Sequence, residues 1–121
     1  MATSLRVSGT IQDTTNSSTV GTSSQTVTTA QDYEYKEVKN IGTTEESIAL
    51  PADLTGAGTG HAYIKNRDAT NYVQIGTATT VYWCRLLAGQ FAIVPLDNAI
   101  TTIYMKANTA ACNVEVYVRS R

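Results

Sequence analysis

Charge is what this chain has least of. Asp, Glu, Lys and Arg make up 16 % of its 121 residues and nearly cancel, to a net charge of −1. About 25 % charged residues is usual for globular proteins. A general nucleic-acid binder needs a basic footprint to neutralise phosphates, so that class is excluded. Histidine, tryptophan and phenylalanine occur once each, and proline and cysteine twice. Two cysteines, Cys84 and Cys112, are too few for a disulfide scaffold. One His and two distant Cys do not make a zinc set, which wants three or four ligands. No apolar run is long enough to encode a membrane-spanning helix. The opening MATSLRVSGTIQD lacks a basic segment followed by an apolar stretch, so no secretory leader is expected.

What stands in place of charge is hydroxyl: the chain has 20 Thr and 8 Ser. Thr is β-branched and suits a pleated, half-wetted surface, whereas a helical bundle would want Ala, Leu, Glu and Lys. The patterning agrees. From residue 3 to 11, Leu5, Val7, Gly9 and Ile11 alternate with Arg6, Ser8 and Thr10, a period of two. Near the other end Cys112, Val114, Val116 and Val118 alternate with Asn113, Glu115, Tyr117 and Arg119, which predicts a strand with its valines in the core. Between them, residues 61–66, 71–76, 81–87, 90–96 and 100–106 read as strands. Ala88-Gly89 and the stretch around Asn108 read as hairpin turns. The run VYWCRLL, residues 81–87, is apolar enough to predict burial of both its faces, Trp83 included.

About eight to nine short strands with turn signals between them predict an all-β fold. The expected architecture is a single-domain antiparallel β-sandwich, jelly-roll-like or immunoglobulin-like, over residues 1–121. Residues 12–25 are nearly all small and polar and read as a flexible loop or arm.

Reactive groups are scarce. His61 follows a Gly-rich loop and reads as a solvent-facing strand start rather than a base. GAGTGH, residues 56–61, lacks the Lys-Ser/Thr ending of a phosphate loop. Glu45 and Glu46 are adjacent, so on a strand they point apart and read as a solvated turn rather than a catalytic pair. Cys84 and Cys112 read as small apolar side chains, with a disulfide as the alternative. No cofactor, metal ligand set or catalytic group is expected, and the chain reads as non-enzymatic. Seven tyrosines remain. Tyr63, Tyr104 and Tyr117 fall on the polar parity of their strands. They serve either as cross-strand support or as contacts to another protein, and the sequence leaves both open.

The second half carries a further signal, in the order IKNRDATNYVQIG, LLAGQFAIVPL and IYMKANTAACNVEVYV. Over about residues 62–118 this resembles small virion structural proteins of tailed bacteriophages. The resemblance implies a capsid decoration (cement) protein that bridges and stabilises capsid subunits. Head–tail connector and tail subunit are the neighbouring alternatives. The implied partners are other copies of the chain, as a homotrimer, and the major capsid protein, with no nucleic acid or membrane. The implied location is the virion, assembled in the host cytoplasm. Candidate interface residues are Leu5, Val7, Ile11, Tyr63, Tyr104 and Tyr117. A carbohydrate- or receptor-binding β-sandwich module is the alternative from a different class. It would stack sugars on Tyr and Trp83, and the expected burial of Trp83 speaks against it.

Overall fold

The computed structural model describes the backbone of residues 3–29, 33–52, 54, 59–97 and 99–120, with their side chains except those at 3–5, 13, 22–25, 27–29 and 59. Its ten strands are β1 (Thr3–Asp13), β2 (Ser18–Thr29), β3 (Glu34–Ile41), β4 (Glu46–Ala49), β5 (Thr59–Asn66), β6 (Val73–Gly76), β7 (Cys84–Leu86), β8 (Phe91–Pro95), β9 (Thr102–Ala107) and β10 (Cys112–Ser120). The chain divides into two compact units, Met1–Asp32 and Tyr33–Arg121. The sandwich expected over residues 1–121 therefore occupies Tyr33–Arg121, and the residues before it form a unit of their own.

The first unit is an antiparallel hairpin. β1 pairs with β2 through Leu5–Val27, Val7–Gln25, Ile11–Val20 and Asp13–Ser18, with a register shift between Val7 and Gly9. Residues expected to be an irregular arm are thus a turn and most of a strand. Small polar composition suggests a loop, but Thr at 19, 22, 26, 28 and 29 favours extended backbone, and β1 supplies the ladder. Ser17 closes the turn with φ 58°.

The second unit holds two four-stranded sheets, in the orders β3-β10-β5-β8 and β4-β9-β6-β7. Only the β6–β7 connection stays within one sheet; every other crosses to the opposite one. That interleaving is the strand order of a jelly roll and decides between the two sandwich types expected. It also corrects two expected hairpins. β7 and β8 reverse at Gly89, whose φ of +77° meets the expected need for glycine. Yet the two strands lie in different sheets, as do β9 and β10. Turn residues mark where the chain reverses, not which sheet it re-enters.

The core lies between the sheets. From one side come Cys112, Val114, Val116 and Val118 of β10 with Ala62 and Ile64 of β5. From the other come Val73, Ile75, Leu86, Ile103, Met105 and Ile48. All four inward residues of β10 are fully buried, as its alternation predicts. β10 reaches this burial because it is an inner strand, flanked by β3 and β5.

The sheet edges are guarded against pairing with other chains. β3 carries Glu34, Lys36, Glu37 and Lys39 within eight residues. β4 and β7 have four and three residues. β8 ends in Pro95, which has no N–H to offer.

Candidate interaction surfaces

The run at residues 81–87 is not covered on both faces. Tyr82, Cys84 and Leu86 turn inward, while Val81, Trp83, Arg85 and Leu87 turn out, and Trp83 is 47 % exposed. The expectation fails because β7 is an edge strand, hydrogen-bonded only to β6. A signal was present in the sequence: Arg85 shares parity with Trp83 and marks that face as wet. β8 behaves alike. Ala92 and Val94 pack on the core while Phe91 and Ile93 stay outside, with Phe91 at 59 %. Pro95 in the same strand was the edge marker.

β7 and β8 sit on the same side of the sandwich. The buried Asn66 amide donates to the Leu86 carbonyl at 3.0 Å, and the Asn66 backbone N–H donates to the Gln90 carbonyl at 2.9 Å. Their outward side chains nevertheless point to opposite sides, since Val81 and Trp83 turn out from the β4-β9-β6-β7 sheet and Phe91 and Ile93 from the β3-β10-β5-β8 sheet. Val38 lies on the same outer face as Phe91 and Ile93, in one row with Glu115, Lys65 and Phe91.

Phe91 and Ile93 belong to the outer face of the β3-β10-β5-β8 sheet. Tyr117 stands opposite Tyr63, and Tyr63 opposite Ile93. The Tyr63 and Phe91 rings are 5.9 Å apart between centroids, tilted by 32°. Around them lie Lys36, Glu115, Lys65, Glu34, Arg119 and His61, on neighbouring register positions. His61 is half-buried within β5. The Glu34 carboxylate accepts from the Tyr117 hydroxyl at 3.1 Å and from Arg119 Nη1 at 2.9 Å. Burial first, and this hydrogen bond second, raise the Tyr117 pKa. An apolar centre with a charged rim is the usual anatomy of a protein contact.

The six candidate interface residues do not share one surface. Tyr63 and Tyr117 are cross-strand partners on the first sheet. Tyr104 lies on the other sheet, half-buried, opposite Ser47 and Gly76. Val7 and Ile11 belong to the hairpin unit. The Leu5 side chain lies outside the described residues.

The segments that carry the family resemblance meet in the body, and their polar groups are turned on one another. Asn66 is fully buried. Its Nδ2 donates to the carbonyls of Asn71 and Leu86, at 2.8 and 3.0 Å, and its Oδ1 accepts from Asp68 N–H at 3.0 Å. Asp68 Oδ2 accepts from Thr70 N–H and Asn71 N–H at 2.9 and 2.6 Å. Asn108 Oδ1 accepts from Tyr72 N–H at 3.0 Å, and Thr109 Oγ1 donates to Asn71 Oδ1 at 2.7 Å. These groups fasten loops between the sheets. Glu45, expected as part of a solvated turn, accepts from Thr80 N–H at 2.8 Å and from the Tyr82 hydroxyl. That bond, ahead of burial, pushes the Tyr82 pKa up to about 12. Cys84 and Cys112 are both free. Burial pushes both thiols up, and Asp68 adds to this at Cys112.

The Asp68 bonds carry a pH dependence. Its two backbone donors favour the charged form, so the folded pKa lies below the ordinary 3.8. A depressed carboxylate stabilises the fold above its unfolded pKa, and that contribution is lost as pH falls through the folded value. Acid titration of thermal stability is expected to show a loss below about pH 4 that Asp68→Asn reduces. An identical acid limb in that variant would show that Asp68 contributes nothing to it.

Among the described residues, no three His, Cys, Asp or Glu side chains converge as a metal site. No family model, curated protein or solved structure matches the chain.

Proposed function

We propose that the chain is a non-enzymatic virion structural protein, a capsid decoration protein of the tailed-phage type. It docks on the shell through the outer face of the β3-β10-β5-β8 sheet. The observation that carries the reading is the group of aromatic and apolar side chains on that face, Tyr117, Tyr63, Phe91, Ile93 and Val38. A monomeric protein gains nothing by keeping Phe91, Ile93 and Val38 in water, and an exposed apolar patch rimmed by charge marks an interaction site. The jelly roll supports the reading by analogy only, since viral coat domains and lectins share it. Bound across neighbouring capsid subunits, the protein would stabilise the assembled state by mass action.

The test is quantitative mass spectrometry on phage particles purified from the strain that encodes the chain. The expected result is a copy number on the scale of the shell protein. A variant with Phe91→Lys and Ile93→Lys is expected to fold and to be missing from otherwise normal particles. A handful of copies per particle would turn the reading to a connector or tail subunit, and absence from the particle would end it.

Exposure of Trp83 also removes the objection to a sugar- or receptor-binding module. That second reading expects glycan-array signal that Trp83→Ala abolishes.

A further inference from the structure

The outer face of the β4-β9-β6-β7 sheet takes no part in the shell docking proposed above, and its charge is of one sign. Register sets Gln74 of β6 between Arg85 of β7 and Lys106 of β9. The three stand in one row across adjacent strands, roughly 10 Å from end to end. No outward register position of β4, β6, β7 or β9 carries a carboxylate. Among the described residues neither cation has an ion-pair partner. The β4–β9 register brings Glu45, just before β4, toward Lys106, but its carboxylate is engaged elsewhere. It accepts from Thr80 N–H and from the Tyr82 hydroxyl. The other sheet is different, for its outer face sets Glu34 against Arg119 and Glu115 against Lys65. Two cations without counter-ions, on a chain of net charge −1, leave a local positive field that suits an anion.

Arg85 is held for such a contact. Its guanidinium carbon lies 4.3 Å from the centroid of the Tyr72 ring. Stacking fixes the plane of the fork and leaves the N–H donors on its rim open to a ligand. Tyr72 is anchored in turn, its N–H on Asn108 Oδ1 at 3.0 Å. A guanidinium fixed in this way takes a planar carboxylate bidentately, and Lys106 adds a second charge beyond Gln74. On its other side the row is bounded by the loop after β6. There the Val81 carbonyl fills the place of a Gly76 Cβ, and the chain leads on to the exposed Trp83. Trp83 and Arg85 share outward parity two residues apart, roughly 7 Å along the strand.

We infer that this face binds an acidic saccharide, its carboxylate on the Arg85 fork and a pyranose ring against Trp83. Resting on the sugar-binding reading above, this gives that reading a face and a ligand class. A pyranose has an apolar C–H face, which suits an exposed indole. Its rim of hydroxyls suits the Gln74 amide, which both donates and accepts. An acidic peptide would satisfy the cations and leave the indole unused. A phosphate polymer takes more contacts than two cations provide. The face lies across the sandwich from Tyr63 and Phe91, so shell and saccharide can be held at once.

The experiment is a glycan array probed with the full chain at low salt. It carries sialylated, uronate-containing and neutral glycans, with each acidic glycan printed also as its methyl ester. Wild type is expected to bind the acids about tenfold or more above their esters, the scale of a charge-assisted bond. Arg85→Gln with Lys106→Gln is expected to erase that preference, with unchanged near-ultraviolet circular dichroism from Trp83. Lys65→Gln removes a cation from the opposite sheet and is expected to keep it. Soluble polyglutamate is expected to compete poorly against the free acidic glycan. Equal, Trp83-dependent signal on acids and esters overturns the inference and leaves the sugar-binding reading standing. Silence on every glycan sinks both. A preference that survives Arg85→Gln/Lys106→Gln, or one lost equally in Lys65→Gln, also overturns it. So does polyglutamate that competes as well as the glycan, since the face would then read charge alone.

Discussion

Replacing Asn66 by alanine is expected to lower the unfolding free energy by about 3–5 kcal/mol, read as a fall in the denaturant midpoint at unchanged slope. The size follows from counting what the side chain satisfies. Asn66 has no exposure, and its two N–H donors and its carbonyl all have partners at 2.8–3.0 Å. Those partners are main-chain groups of residues 68, 71 and 86, so one amide ties β5 to the β5–β6 loop and to β7 in the opposite sheet. The amide cannot be read the other way round, because carbonyls face its nitrogen and an N–H faces its oxygen. Alanine leaves the three groups without the amide that satisfied them, at ~1–3 kcal/mol each before relaxation. Asn66→Asp keeps the shape, yet a carboxylate cannot donate to the Asn71 and Leu86 carbonyls. It is therefore expected to destabilise about as much. Wild-type stability in Asn66→Asp would show that shape alone matters at this position.

Asn66 also shows what was legible in the sequence and what was not. It stood inside the stretch IKNRDATNYVQIG that carries the resemblance. Nothing local showed that one of its partners would lie twenty residues on, at Leu86. The same limit runs through the fold. Alternation in residues 112–118 located the core face of β10, because a strand covered on one face writes its environment into a period of two. Residues 81–87 misled because an apolar outward face at an edge looks like a second buried face. Only Arg85 contradicted that, and its weight depends on knowing that β7 is last in its sheet. Strand order depends on long-range pairing, which no local pattern encodes. For the candidate surface the result is divided. Tyr63 and Tyr117 were read from parity as outward residues and meet on one face. Trp83 was expected in the core, and Phe91 and Ile93 stood in a stretch read only as a strand, so neither was singled out as surface.

The placement of Trp83 depends on a backbone feature that makes the second large prediction. Gly76→Ala is expected to cost about 3 kcal/mol or more and to perturb Trp83 fluorescence in whatever folded protein remains. A Cβ on Gly76 would stand 1.8 Å from the Val81 carbonyl oxygen and 2.9 Å from its carbon. Both are backbone atoms, so no side-chain rotation relieves the clash. Val81 cannot retreat easily, because it is held from several directions. It bridges to Ala78, with its N–H on the Ala78 carbonyl at 3.2 Å. Thr80 before it sits at φ 57° with its N–H on Glu45, and Tyr82 after it donates its hydroxyl to the same carboxylate. Trp83 N–H then rejoins the sheet at the Ile75 carbonyl, at 3.1 Å. Moving the 77–82 loop away from a new methyl group therefore strains the anchor of Trp83. Glycine here follows from the close approach of two backbones rather than from a positive φ. Thr80→Gly serves as the contrast. It relieves the left-handed backbone at 80 without touching the Gly76 contact, and is expected to be tolerated within about 1 kcal/mol. If Gly76→Ala proves as mild as Thr80→Gly, the loop is not fastened as described, and it does not hold Trp83 in place.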